Sequence, residues 1–194
     1  MCAVRRGPVV ESLHAWGRCD LSESIDHIRD VLQEAGVRPW GDMTKVLVEQ
    51  PWPESPRGVR RRVPPYGRVI VDEVGLGAGV LDRLKELEFA VIGFNGGASP
   101  SDGGRYLNAR AESYWRLREK LEAGEIALPP DEKLMDELLA TRWRPTPEGK
   151  VRIEAKEELK SRLGRSPDKA DAVVMAVAGE VARKRQPTAG IATA

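Results

Sequence analysis

Apolar positions recur along the chain with two periods, one near 3.6 and one near 2, and the changes between them mark out the elements. Cys2-Ala3-Val4 and Val9-Val10 flank Arg6-Gly7-Pro8, a pattern that predicts a hairpin from residue 2 to Trp16. Leu21, Ile25, Ile28 and Leu32 then follow at helical spacing. Asp20 and Glu23 precede that series three apart, as in a capping box, and Gly36 stops it. Lys45 to Glu49 reads as a further strand. Residues 50–67 hold Pro51, Pro53, Pro56, Pro64 and Pro65, which excludes a central strand or helix and predicts a surface insertion.

The second half is more regular. Val69-Ile70-Val71 is a β-branched run of the kind buried on both faces of a sheet, and it delivers Asp72 at its C-terminal end. A helix with Val80, Leu84 and Leu87 inward and a strand Ala90-Val91-Ile92-Gly93-Phe94 complete a strand–helix–strand unit, which implies parallel strands. After a Gly/Ser/Asp loop at 95–104, a long helix is expected from about Arg105 to Ala123. Leu107, Ala111, Tyr114, Leu117 and Leu121 form its apolar face, and Gly124 ends it. Asp131 opens a short helix with Leu134, Leu138 and Leu139. Trp143 to Ile153 reads as a hairpin turning at Glu148-Gly149, followed by a helix from about Glu154 to Leu163 that ends at Gly164. Ser166 as N-cap and Pro167 at the first helical position then open a last helix to about Lys184. Residues 1–185 are read as one domain and 186–194 as a disordered tail.

Composition narrows the class. With 41% hydrophobic and 31% charged residues, the 194-residue chain is of ordinary soluble type, and no run approaches the roughly 18–20 apolar residues that span a bilayer. The first residues lack the apolar core of a secretion signal, and Cys2 and Cys19 lack zinc-ligand spacing, so a reducing cytoplasm is expected. A net charge of +1 gives no global case for nucleic acid. Locally, Arg57, Arg60, Arg61, Arg62 and Arg68 form an acid-free basic cluster. Lys150, Arg152, Lys156, Lys160, Arg162 and Arg165 form a second, interleaved with glutamates. Such clusters neutralise phosphates, or else are a solvated loop and a salt-bridged helix face.

Three carboxylates carry the candidate chemistry. Asp168 and Asp171, three apart, project from one side of the first turn of the last helix. Acidic residues there also suit the helix dipole, a purely structural role. The rest of that helix is apolar nearly all round, however, and an unpaired carboxylate in it would be costly unless a divalent metal were bound. Asp72 stands at a strand end, where open α/β sheets place catalytic groups, although capping a loop is the competing role. Oxygen ligands of this kind suit Mg²⁺ or Mn²⁺, and two such ions together hydrolyse phosphodiesters. Glu73 and Asp82 are weaker candidates. Gly75-Leu76-Gly77-Ala78-Gly79 lacks the spacing of a dinucleotide fingerprint, and no P-loop is present. His14 and His27 are isolated.

Val71-Asp72-Glu73-Val74-Gly75-Leu76-Gly77-Ala78-Gly79-Val80-Leu81-Asp82-Arg83-Leu84 resembles the second-acid motif of the nuclease domain in tailed-phage terminase large subunits. Asn108-Ala109-Arg110-Ala111-Glu112 with Tyr114-Trp115 resembles that family's long helix. Ile153-Glu154-Ala155-Lys156 and Gly164-Arg165-Ser166-Pro167-Asp168-Lys169-Ala170-Asp171-Ala172 resemble its C-terminal end. Val4-Arg5-Arg6-Gly7 and Cys19-Asp20-Leu21 are similar to its second strand and first helix. The resemblance implies a ribonuclease-H-like α/β fold, a mixed sheet flanked by helices. It also implies a two-metal endonuclease, using Mg²⁺ or Mn²⁺, that cuts concatemeric double-stranded phage DNA during packaging in the host cytoplasm.

On that resemblance Asp72 and Asp171 would be metal ligands, and Asp168 a co-ligand or a group behind them. Arg110 and Lys156 would touch the site or the DNA backbone, with Arg60, Arg61 and Arg62 as further DNA contacts. The ATPase domain, the small subunit and the portal would be partners. The family's first strand and its aspartate lie upstream of the segment matching Cys2-Ala3-Val4, so the site is expected to be incomplete and the domain N-terminally truncated. Glu49, on a strand in the vacant position, would be one replacement. The alternative is a catalytically silent remnant or DNA-binding accessory module. Another ribonuclease-H-like enzyme, such as a junction resolvase, fits the Asn108–Glu112 and Gly164–Ala172 strings less well.

Overall fold

The computed structural model describes residues 1–17, 19–39, 68–74 and 77–185, with side chains to residue 178. The expected strand at Lys45–Glu49, the insertion at 50–67 with Arg60, Arg61 and Arg62, Gly75 and the tail from Gln186 lie outside them. Among the described residues there are six strands and six helices: β1 (Cys2–Arg6), β2 (Val9–His14), α1 (Leu21–Glu34), β3 (Val69–Asp72), α2 (Gly77–Glu86), β4 (Val91–Phe94), α3 (Ala109–Glu122), α4 (Glu132–Ala140), β5 (Trp143–Pro145), β6 (Val151–Ile153), α5 (Lys156–Leu163) and α6 (Asp168–Arg185). The strands pair as three two-stranded ribbons, β1–β2, β3–β4 and β5–β6. The chain divides into two compact units, one of residues 1–16 with 94–194 and one of residues 17–93.

In the first unit β1 and β2 form the expected antiparallel hairpin. Gly7, at φ +54°, makes the turn, and the register shifts after Val4 so that Glu11 bulges out. Glu11 there accepts a hydrogen bond from Arg6 Nε at 2.9 Å. Val10 closes the hairpin onto the core and donates its N–H to the Ala127 carbonyl at 2.9 Å. The core gathers Val10, Tyr114, Leu117, Ile126, Leu134, Ala170, Val173, Val174 and Val177. It is thus built on α6, the helix whose sequence is apolar nearly all round. Enclosing a Leu or Val of this kind contributes roughly 1.5–3 kcal/mol.

Two helix boundaries differ from the sequence reading. α3 starts at Ala109, not near Arg105, because Asn108 is its N-cap and accepts the Ala111 N–H at 2.9 Å. Leu107 and Leu121, expected inward, are exposed, while Glu112 and Ser113 are buried. α6 begins at Asp168, so Pro167 precedes the helix and its carbonyl accepts from the Asp171 N–H at 3.0 Å. Ser166 donates to Asp168 Oδ1 at 2.6 Å instead of capping. α4 also departs from its pattern. Leu139 is 78% exposed and Glu137 is 1% exposed, for a reason that lies at the start of α6.

The loop before α3 is tied down by Glu112. Its carboxylate accepts from the Ser101 N–H at 2.6 Å, from the Ser101 hydroxyl, and from Arg116 Nη2 at 2.7 Å. Burial alone would raise its pKa, but these bonds outweigh burial and hold it below the ordinary carboxylate range. Asp131, the N-cap of α4, is likewise lowered, first by its bond from Lys169 and then by the Leu134 N–H. A lowered folded-state pKa contributes stability that is complete above the unfolded value, roughly 4, and lost as pH falls through the folded one. The urea midpoint is therefore expected to hold from about pH 7 to 5 and to fall below about pH 4. In Glu112→Gln that acid limb should be shallower; an unchanged limb would remove Glu112 from this account.

In the second unit the capping box of α1 is complete, with Glu23 N–H donating to Asp20 Oδ1 at 2.9 Å and Asp20 N–H to Glu23 Oε2 at 3.2 Å. Ile25, Val31 and Leu32 are buried along α1. Along α2 the buried residues are Leu81 and Leu84, so Leu81 takes the inward place that the periodicity assigns to Val80. α1 and α2 meet at Gly79, where a Cβ would stand 3.0 Å from Leu21 Cδ2. Gly77 sits against the end of β3.

Candidate functional site

Asp171 is the centre of the arrangement. It lies on the first turn of α6 with its side chain 17% exposed, and donors from two other helices converge on it. Arg110 Nη1 reaches Oδ1 at 3.2 Å, the Tyr114 hydroxyl donates to Oδ1 at 2.8 Å, and Lys156 Nζ meets Oδ2 at 2.8 Å. Arg110 and Tyr114 are four apart on α3 and so share one face, with the guanidinium over the phenol ring at 4.8 Å from its centroid. Lys156 is the first residue of α5 and also stands 3.9 Å from Asp168 Oδ1. Asp168 is more open, at 56% exposure.

The electrostatics follow from this packing. Burial pulls the Lys156 ammonium down, but its bond to Asp171 and the charges of Asp171 and Asp168 outweigh that, so its pKa is raised. Burial and the Asp171 charge push the Tyr114 phenol up, so it remains a donor. Two cations thus face two carboxylates. The cost of a buried carboxylate, which from sequence points to a metal, is met here by Arg110, Lys156 and Tyr114. Nε and Nη2 of Arg110 are buried and, among the described residues, have no hydrogen-bond partner, a cost that the ring of Tyr114 beneath the guanidinium partly offsets.

The first turn of α6 is fixed from α4. Glu137 accepts the Ala170 N–H at 2.9 Å and a hydrogen bond from Arg165 Nη1, while Lys169 pairs with Asp131. This explains the inversion on α4: a carboxylate that caps α6 takes the inward position, and Leu139 is turned out. Apolar periodicity passes over Glu137 because it sits among leucines. The signal available in the sequence is its place three residues after Leu134, on the same helix face as that fully buried leucine.

In the second unit Asp72 ends β3 as expected, and its exposed carboxylate accepts the Val74 N–H at 3.1 Å. Glu73 lies beside Gly93, and Asp82 is exposed near Lys85 at 3.9 Å. Of the residues singled out from sequence, Asp168, Asp171, Arg110 and Lys156 are therefore brought together within one unit, and Tyr114 joins them. Asp72 belongs to the other unit. Among the described residues, no three His, Cys, Asp or Glu side chains are grouped to hold a metal ion. Asp168 and Asp171 offer the hard oxygen donors that Mg²⁺ or Mn²⁺ takes, but as two carboxylates they are only part of a ligand set.

No protein-family model matches the sequence, and no curated protein matches it. Solved structures do match in fold. The nuclease domain of the large terminase subunit gp2 of bacterial virus Sf6 aligns with a TM-score of 0.68 at 22% identity, over 90% of this chain and 80% of that one. A point mutant of the same domain, solved with manganese, aligns with a TM-score of 0.68 at 21% identity, over 90% and 81% of the two chains. A calcium-bound mutant form gives a TM-score of 0.68 at 21% identity, over 90% and 80%. The chain has the ribonuclease-H-like fold of a terminase large-subunit nuclease domain.

Proposed function

We propose that this chain is the nuclease domain of a tailed-phage terminase large subunit, a metal-dependent endonuclease acting on concatemeric double-stranded DNA during genome packaging. The observation that carries the reading is Asp171, held by Arg110, Tyr114 and Lys156 on the first turn of α6 in a chain of this fold. Asp168 and Asp171 would hold Mg²⁺ or Mn²⁺, with the remaining ligands supplied from outside this pair, and Asp72 is a further candidate ligand. Such ions, when bound, activate water and stabilise the leaving oxygen of a phosphodiester. The chain's own residues orient and neutralise. Tyr114 and Arg110 fix the Asp171 carboxylate. Lys156 supplies a second cation beside the same carboxylates.

The packaging partners would be the ATPase domain, the small subunit and the portal, in the host cytoplasm. Among the described residues no helix is long and apolar enough to cross a membrane. A second reading, a catalytically silent DNA-binding module of the same machine, is favoured by one observation: both oxygens of Asp171 already face cationic donors. Plasmid nicking separates the two. With Mn²⁺ the wild type is expected to relax supercoiled plasmid. Asp72→Ala should lose this about 100-fold or more while costing under about 1 kcal/mol of stability, since among the described residues it forfeits one exposed hydrogen bond. Absence of Mn²⁺-dependent nicking by the wild type sinks the enzyme and leaves the silent module.

A further inference from the structure

The hairpin of β5 and β6 carries a charge arrangement that its own fold does not require. Trp143 pairs with Ile153, Arg144 with Arg152, and Pro145 with Val151. Side chains directly opposite on an antiparallel pair project to the same face, and like charges there are destabilising. Hydrogen bonds from Glu154 N–H to the Arg142 carbonyl at 3.0 Å and from Thr146 N–H to the Lys150 carbonyl at 2.8 Å fix the alternation of the ladder. Arg144 and Arg152 therefore fall on a hydrogen-bonded pair, with Cα atoms about 5.5 Å apart. Both are exposed, and among the described residues neither guanidinium has a carboxylate or other side-chain partner.

The other face holds the ribbon in place. Val151 is buried with Tyr106 and Ala111, Ile153 packs beside them, and Trp143 meets Trp115 edge-on with ring centroids 4.9 Å apart. Pro145 falls where its missing N–H would have pointed away from β6, so the ladder loses nothing. The turn is closed by Gly149 at φ +78° and stiffened by Pro145 and Pro147. From Arg142 to Ile153 the chain has four basic residues (Arg142, Arg144, Lys150, Arg152) against one acid, Glu148. The two opposed arginines thus stand on the outer face of a ribbon whose other face is packed. Arg152 precedes Lys156 by four residues, so their Cα atoms are at most about 14 Å apart.

We propose that this hairpin grips the phosphate backbone of duplex DNA through Arg144 and Arg152. Guanidiniums are the groups best suited to phosphate oxygens, and a duplex presents one negative charge per about 1.7 Å of axis, so a fixed cation pair meets phosphates in any sequence. The paired repulsion in the free protein is relieved when phosphates lie against it. The proposal rests on the nuclease reading for its choice of ligand but does not depend on cleavage.

The test measures binding of a fluorescein-labelled duplex of about 20 base pairs by anisotropy, in EDTA, across a salt series. Arg144→Thr/Arg152→Thr is expected to bind at least about 10-fold more weakly at low salt, with a log K against log salt slope smaller by about 2. Threonine suits a strand, so thermal stability should hold or rise, as a purely structural pair would not allow. Arg144→Lys/Arg152→Lys, which keeps the charge, should retain the salt slope. Wild-type affinity and slope in the threonine double variant would overturn the proposal, and so would absence of duplex binding by the wild type. Mn²⁺-dependent nicking by the wild type decides the nuclease reading separately.

Discussion

Asp171→Ala is expected to lower the stability of the fold by about 1–3 kcal/mol, more than the loss of a surface ion pair. The reason is what it leaves behind. Arg110 and Lys156 would face each other with no carboxylate between them, and the Tyr114 hydroxyl would lose its acceptor. Breaking a fully buried pair costs roughly 3–5 kcal/mol. Lys156 is 40% exposed, so water screens part of that cost and the lower range applies. Urea denaturation measures it directly. Adding Lys156→Met to Asp171→Ala should recover part of the loss, because it removes a cation whose remaining partner is the more exposed Asp168 at 3.9 Å. Simple addition of the two losses would show that the residues do not act as a unit. Asp171→Asn, which keeps an acceptor for Tyr114, should fall between alanine and wild type.

Gly77→Ala is expected to cost about 3 kcal/mol, at the upper end for overpacking. A Cβ at this position would overlap the Asp72 carbonyl oxygen and stand 2.8 Å from the carbonyl carbon. Those are backbone atoms at the end of β3, so relief requires the strand end itself to shift, and Asp72 with it. Gly93 provides the contrast. There the nearest atom to an added Cβ is Glu73 Oε2, the tip of a side chain that can swing aside. Gly93→Ala should therefore cost much less in the same thermal melt. Equal losses at the two glycines would refute the backbone clash as the cause.

The elements that rest on short-range pattern were legible in the sequence. The capping box at Asp20 and Glu23, the turn at Gly7, the strand ending at Asp72 and the hairpin turning at Gly149 all depend on residues within a few positions of one another. So did the shared face of Asp168 and Asp171. What the residue pattern by itself did not supply was the answer to the charge of Asp171; Arg110 and Lys156 came from the family resemblance, and Tyr114 was read only as part of an apolar face. Its partners Arg110 and Tyr114 lie 61 and 57 residues away, and neither periodicity nor spacing reports contacts at that separation. The same holds for Glu137, whose burial makes sense only once α6 is seen to need a cap. Apolar periodicity failed where a polar group had a specific inward task, as at Glu112 and Glu137, and where a leucine was left outside, as at Leu139.

The donors that frame Asp171 come from two other helices, one of them far back along the chain, and this bears on when during folding the site comes to exist. Closing loops of about 60 residues has to precede any reward from the contacts that close them. α6 alone would display both aspartates as soon as it formed, but without Arg110, Tyr114 or Lys156 beside them. A chain with its helices made and α3 not yet docked would thus lack Arg110 and Tyr114 and keep Lys156 as the one cation of this frame. The site is a property of the finished packing, and it vanishes at the first opening that separates α3 from α6.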